Sequence, residues 1–485
     1  MNITPNGKQE NLDEIVLFPF DDYALPLQQG VRMHLNSFRA PTNRARIAVG
    51  LGGPGEPDSL ICAYYGTVKR VGDEFWMWYC GHGDIDADKW HQRLCLAKSN
   101  DGINWEKPQL GLVEYNGTKN NNLIDIEIDD HVIACVVYYE PDDPNPDRHF
   151  KMAFETARYA NNLAVAFSAD GLRWKLHPDN PVGPTFEQAG GTKFNGVYYI
   201  TGQGLRHEHW TPKGFARMLS THFSYDFEQW STASCLGHRR DTLPPRPTHY
   251  GISNGPQVHL GAALWNRGNT LIGFYGMWDG HPSNDRRLTR MNLGLLVSHD
   301  ALHYREPIPD FPIVEAAEIG WKNAYESDVN INFPALIQGQ GFENIGDETF
   351  FWYAPWPEQD SDGIRVAIWP RDRLGYFSPF NGPESKAHVT SQPIFLNGQT
   401  TRIRLNVDGL SPDAQIKVSI LDEKLNELSD YRSDDNLDPL ESGFRQAVRW
   451  RNQDSVRSDE PIRVRVDFEG RRPEDVKLYA IYLEQ

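Results

Sequence analysis

Short apolar runs broken by Gly, Asn and Asp dominate the chain. ICAYYGTVKRV is followed by a Gly-Asp turn, EFWMWYCG, a loop and RLCLAKS. VIACVVYYEP leads through a Pro/Asp-rich loop to HFKMAFE and LAVAFS, and GGTKFNG to VYYITGQG and ARMLSTHFS. VHLGAALWNRG, TLIGFYGMW and LGLLVS form a fourth set; VNINFPALIQG, TFFWYAPW and RVAIW form a fifth. Runs this short, rich in aromatic and β-branched residues and bounded by turn formers, predict strands rather than helices.

Each set closes on a recurring seven-residue tag. The copies read SNDGINW from Ser99, SADGLRW from Ser168, SYDFEQW from Ser224 and SHDALHY from Ser298, with a worn copy, PRDRLGY, from Pro370. Self-similarity at this period means stacked supersecondary units. Three strands before each tag and one after it, repeated five times, predict a five-bladed β-propeller over residues 55–380. The tag is expected to be a tight turn whose Ser and Asp bond local amides and whose aromatic packs between blades, so its Asp residues are structural. Residues 1–54 carry no tag and are expected to pack on the propeller, wrapping its rim or completing the last blade. After a linker at NGPESK, residues 387–485 hold six alternating strands, predicting a C-terminal β-sandwich. The fold class is therefore all-β.

Composition narrows the partners. The 485 residues include 41 Gly, 33 Pro, 14 Trp, 20 Tyr and 23 Phe, and 48 basic against 66 acidic residues leave a net charge of −18. Phosphates demand a basic footprint, so nucleic acid and anionic membrane are poor partners and a neutral ligand a good one. No run approaches the length of a membrane span. The N-terminus, MNITPNGKQENLDEIVLF, lacks a basic head and apolar core, which places the chain as given in the cytoplasm, or in the periplasm or outside the cell if a signal preceded it. The five cysteines (Cys62, Cys80, Cys95, Cys135, Cys235) include no CxxC and read as buried free thiols.

In a propeller the leading ends of the innermost strands converge at one mouth. Those positions hold Glu56 and Asp58 in unit one, Asp129, Asp130 and His131 in unit two, and Glu187 in unit three. Unit four offers Gln257 and His259, and unit five Glu326 and Asp328. Acids repeated at one end are what glycosidic cleavage requires: one carboxyl protonates the leaving oxygen while another attacks or activates water. Trp278 and Trp356 end strands and are candidates to stack on a sugar, although packing between blades is the commoner role. No cofactor is expected. Acids meeting on the axis leave room for a structural cation, and no spacing specifies one.

The tag SNDGINWEKP, the order Asp, Asp, Glu over units one to three, and the trailing sandwich resemble the five-bladed-propeller glycoside hydrolases, especially the fructosidase-like members. The resemblance covers most of the chain from about residue 55. It implies Glu187 as general acid, Asp58 as nucleophile or base, and Asp130 as a holder of sugar hydroxyls. Asp129, His131, His259, Glu326, Asp328, Trp278 and Trp356 are then substrate contacts, and an oligosaccharide is the substrate. Around these acids the family's motifs differ: its Asn-Asp-Pro-Asn-Gly reads Glu-Pro-Asp-Ser here, its Arg-Asp-Pro reads Asp-Asp-His, and its Glu-Cys-Pro-Asp reads Glu-Gln-Ala-Gly. A glycoside phosphorylase of similar fold and a non-catalytic sugar-binding propeller are the alternatives. Sugar, linkage, stereochemical outcome and oligomeric state are not legible.

Overall fold

The structure is a computed structural model, describing residues 6–39, 47–87, 91–204, 217–240, 255–283, 288–316, 335–356, 363–380, 386–437 and 441–485. It is all-β: five propeller blades are followed by a two-sheet sandwich.

The innermost strands are Ile61–Val71, Val132–Tyr139, Phe186–Phe194, Gly255–Asn266 and Leu336–Ile345. Each packs on the next, and the fifth returns to the first, so the ring closes. Both faces of each blade meet a neighbour. That explains why the blade strands read as continuous apolar runs, as in the unbroken burial of Phe150–Thr156. The sandwich strands have one face on a core and alternate instead: Arg463–Glu469 buries every second residue.

All five innermost strands carry their extra residues at a bulge against the second strand of the same blade. The register slips between Ala63 and Thr67, between Val132 and Ala134, between Gln188 and Gly190, between His259 and Ala262, and between Gln338 and Phe342. A bulge bends and twists a strand, which lets it turn along the crowded axis. Glycine permits the close approach: a Cβ at Gly66 would lie 1.8 Å from the Trp78 carbonyl oxygen. Hydrogen bonds then tie the ring. The Thr67 hydroxyl donates to Cys135 O at 2.9 Å, and Tyr64 donates to Gln340 O at 3.0 Å. Gln340 Oε1 accepts from Gly191 N at 3.0 Å and Leu264 N at 2.8 Å. One glutamine of the fifth blade thus reaches both the third and fourth, which requires it to cross the axis at its waist.

Four tags form the expected turn. Ser99 Oγ accepts from Asp101 N and Gly102 N, Asp101 Oδ1 accepts from Ile103 N and Asn104 N, and the Trp105 indole donates to Gly102 O. Ser168–Trp174, Ser224–Trp230 and Ser298–Tyr304 repeat it, with the left-handed conformation at their fourth residues, Gly171, Phe227 and Ala301. The second-strand tryptophan of one blade caps the tag of the next: Trp352 donates to Gly102 O at 3.0 Å, and Trp78 to Gly171 O at 2.9 Å. The worn copy departs from this plan. Asp372 itself is left-handed and fully buried; it pairs with Arg267 of the fourth blade and accepts from Tyr482 of the C-terminal sheet at 2.8 Å. Its role is still structural, but it clamps blades to sandwich.

The N-terminal strands are shared out. Ile47–Gly50 pairs with Gly363–Pro370 and supplies the outer strand of blade five, while Phe38–Arg39 joins the edge of blade four. Glu14–Leu17 and Val31–Leu35 pair into the C-terminal sheet containing Lys477–Glu484, and Leu27–Gln29 into the facing sheet. Gly375–Pro379, which begins on the last two residues of the worn tag, pairs with Val31–Leu35 and with Leu478 in the sandwich rather than with blade five. Between the two sandwich sheets lies one apolar core that includes Leu405, Ile481, Val418 and Val466.

Candidate active site

Glu187 is the second residue of the innermost strand of blade three, and it is half-buried. Gln203 stands directly opposite on the neighbouring strand. The Gln203 oxygen accepts from Leu260 N at 3.2 Å, so its amide NH2 is the group facing Glu187, and it donates to Glu187 Oε2 at 2.5 Å.

A second acid in the neighbouring blade was not among the expected residues. Glu155, near the end of the second strand of blade two, is 0% exposed, and neither carboxyl oxygen has a hydrogen-bond partner among the described residues. Its cross-strand neighbours are Ala134 and Leu163, both apolar. Burial, and then the charge of Glu187, pushes the Glu155 carboxyl up to about 9. Sequence reasoning looked only at leading ends of innermost strands and passed over Glu155. The signal was present: FKMAFET is an acid inside an otherwise buried run, and a buried acid without a cation needs a special reason.

Asp130 is half-buried just before the innermost strand of blade two and accepts from His131 N at 2.7 Å. That strand begins at Val132, which pairs with Thr156, the residue after Glu155. His131 Nδ1 accepts the Gln92 N–H at 2.9 Å, so the neutral ring carries its proton on Nε2. Burial, followed by the nearby His91, pushes His131 down to about 4. Asp129 turns outward: its side chain is 88% exposed, with Arg93 at 3.5 Å and His91 at 3.7 Å.

The remaining expected residues fall elsewhere. Asp58 is 0% exposed. Its Oδ2 accepts from the Tyr79 hydroxyl at 2.6 Å and lies 2.6 Å from Lys107 Nζ, and Asn122 in turn donates to Tyr79. Lys107 also donates to Gly50 O, so this carboxylate anchors the incoming N-terminal strand to blade one and has no surface open to a ligand. That placement corrects the expectation of Asp58 as a mouth-facing nucleophile. Trp278 and Trp356 are buried too. His259 stacks on Trp278 at 5.5 Å and meets Trp356 edge-on at 5.6 Å, and the Arg217 guanidinium lies 4.5 Å from the Trp278 centroid. The three rings pack against one another rather than forming an open platform, because a buried indole is worth more in an aromatic cluster than against water. Glu326 and Asp328 lie outside the described residues.

Glu187 and Glu155 lie on strands that pack against each other, Asp130 and His131 sit beside the strand end that carries Glu155, and Asp58 is held in its own network with Tyr79 and Lys107. Two carboxyls whose surroundings pull their protonation apart can serve as acid and base. Among the described residues, no cluster of His, Cys, Asp and Glu side chains has metal-holding geometry. None of the five cysteines forms a disulfide, and four of them are buried. No described helix is long and apolar enough to cross a membrane.

No family model matches the chain, and no curated protein matches it either. Among solved structures it is similar to a glycosyl hydrolase from Bacteroides ovatus, at 13% identity and a TM-score of 0.42, covering 70% of this chain and 95% of that one. It is also similar to a structure from work reporting that the GH130 family of mannoside phosphorylases contains glycoside hydrolases targeting β-1,2-mannosidic linkages in Candida mannan. That match has 12% identity and a TM-score of 0.41, over 70% of this chain and 95% of that one. A third is the GH32 β-fructofuranosidase of Bombyx mori, at 14% identity and a TM-score of 0.36, covering 92% of this chain and 94% of that one.

Proposed function

We propose that this protein is a glycoside-processing enzyme that cleaves glycosidic bonds with carboxyl groups at the mouth of the propeller, acting from chain ends on oligosaccharides. The observation that carries the reading is the half-buried Glu187 in the blade next to the fully buried Glu155, whose carboxyl is pushed up by burial. In this reading Glu187 protonates the leaving oxygen. Asp130, the other half-buried acid next to that strand end, activates water or steadies charge on the sugar. Neutral His131 offers Nε2–H to a hydroxyl. Asp58 is an anchor rather than a nucleophile.

The test is a screen of nitrophenyl glycosides and of plant or algal oligosaccharides, with and without inorganic phosphate, followed by product analysis. Release of terminal sugars without phosphate is the expected result. Turnover only with phosphate would make the protein a phosphorylase, internal cleavage would overturn exo-action, and sugar binding without turnover would overturn the enzyme reading.

A further inference from the structure

The innermost strand of blade four lends a backbone amide to blade three. Leu260 and Gly261 are the extra residues of its bulge, with φ of +62° and +111°. Leu260 is 0% exposed, and a leucine in the left-handed region persists only where its surroundings hold it there. Bonds from two other blades do so. The Gln338 amide of blade five donates to His259 O at 2.8 Å and to Gly261 O at 2.9 Å. Ala262 N donates to the Thr201 hydroxyl of blade three at 3.1 Å. Gly261 lies so close to blade three that a Cβ there would stand 2.6 Å from Gly202 N. Leu260, which the bulge leaves without a register partner in its own blade, donates its N–H to Gln203 Oε1 at 3.2 Å.

We infer that Gln203 is a positioning residue for Glu187, keyed by the Leu260 amide. A glutamine amide can present either its oxygen or its NH2 to a neighbour. Here the Leu260 N–H takes the oxygen, which commits the NH2 to Glu187 Oε2 at 2.5 Å. Gln203 is buried and stands opposite Glu187 in register, so two paired strands set its reach. The bond fixes the rotation of the Glu187 carboxyl, and with it the direction in which a proton is offered to a glycosidic oxygen. Delivery of that proton depends closely on such alignment. This deepens the glycosidase reading and rests on it for its use in catalysis.

The experiment compares wild type, Gln203→Met and Glu187→Gln on two glycosides of the sugar that the wild type cleaves, one with an alkyl and one with a dinitrophenyl leaving group. Gln203→Met should lower kcat by about 100-fold on the alkyl glycoside, with KM little changed. It should lose far less on the dinitrophenyl glycoside, whose leaving group departs without a proton. Glu187→Gln should show the same bias. If Gln203→Met does not fold, Gln203→Asn, too short to span both partners, is read in its place. An equal loss on both substrates, or none, in the Gln203 variant overturns the positioning role; bias in Glu187→Gln alone does so while leaving the glycosidase standing. The hold itself is read separately by nitrogen-15 NMR. The Gln203 side-chain amide signal, assigned by its loss in Gln203→Met, should move in Glu187→Gln. A signal indifferent to Glu187→Gln overturns the proposal whatever the turnover. A signal that moves in a protein cleaving no glycoside keeps the hold and removes the glycosidase.

Discussion

Lys107 Nζ stands 2.6 Å from the Asp58 carboxylate in the interior of blade one. Lys107 follows the first tag by two residues, and Asp58 precedes the first innermost strand. Their contact fixes the loop that carries the chain from the outer strand of blade five to the centre of blade one, and it turns an acid at a mouth-like sequence position into a structural one.

Removing Lys107 leaves the buried Asp58 charge without its cation, whereas removing Asp58 leaves a lysine that is partly exposed. Lys107→Met should therefore cost about 3 kcal/mol in urea unfolding, and Asp58→Asn should also destabilise. An Asp58→Asn protein with wild-type stability and abolished turnover would contradict this and return Asp58 to the chemistry.

The tag caps predict a different loss. Trp352→Phe keeps an aromatic ring but removes one of the two indole donors to Gly102 O, leaving Trp105, and Trp78→Phe does the same at Gly171 O, leaving Trp174. Each should lower stability by about 0.5–1.5 kcal/mol, seen as an earlier urea midpoint. A change in either below about 0.5 kcal/mol would show that the blades are not stitched through these carbonyls.

Histidines buried in the neutral form make the fold acid-sensitive. His131 and His238 are both pushed down from 6.5 to about 4, in each case first by burial. Their folded values are depressed, so the stability they contribute is complete above about pH 6.5 and is lost as pH falls toward 4. Thermal unfolding should show a declining midpoint across that window, reduced in His131→Asn. A midpoint that stays flat between those two pH values would contradict the assignment.

Glu155 has the opposite sign. Its folded value is raised from 4.5 to about 9, so its contribution is complete below 4.5 and is lost as pH rises toward 9. Glu155→Gln should therefore gain stability relative to wild type as pH is raised through that range. A difference independent of pH would mean that Glu155 is ionised throughout.

Much of the blade plan was legible because it is local. A Ser, an Asp two residues on and an aromatic four further on close a turn through their own backbone, so Ser99–Trp105 could be read without knowing what it packs against. Asn195-Gly196, with both residues left-handed, likewise marks the hairpin between Phe194 and Val197. What escaped was non-local. Ile47–Gly50 joins a strand over 300 residues away, and no local pattern announces that pairing. Asp372 kept the position of a tag acid while its neighbours lost the turn, and Arg267 and Tyr482 gave it another task. For the site, the place of Glu187 at a strand start is a sequence property. Glu155 was missed, and Asp58 misread, because exposure and a partner 49 residues distant belong to the folded chain alone.

Turnover of a cleaved glycoside by wild type and by Glu187→Gln, compared at equal folded fraction, tests the central claim most directly. If Glu187 delivers the proton, the amide variant should lose about 100-fold or more in kcat while the protein remains folded. Equal turnover by the two proteins would contradict the account.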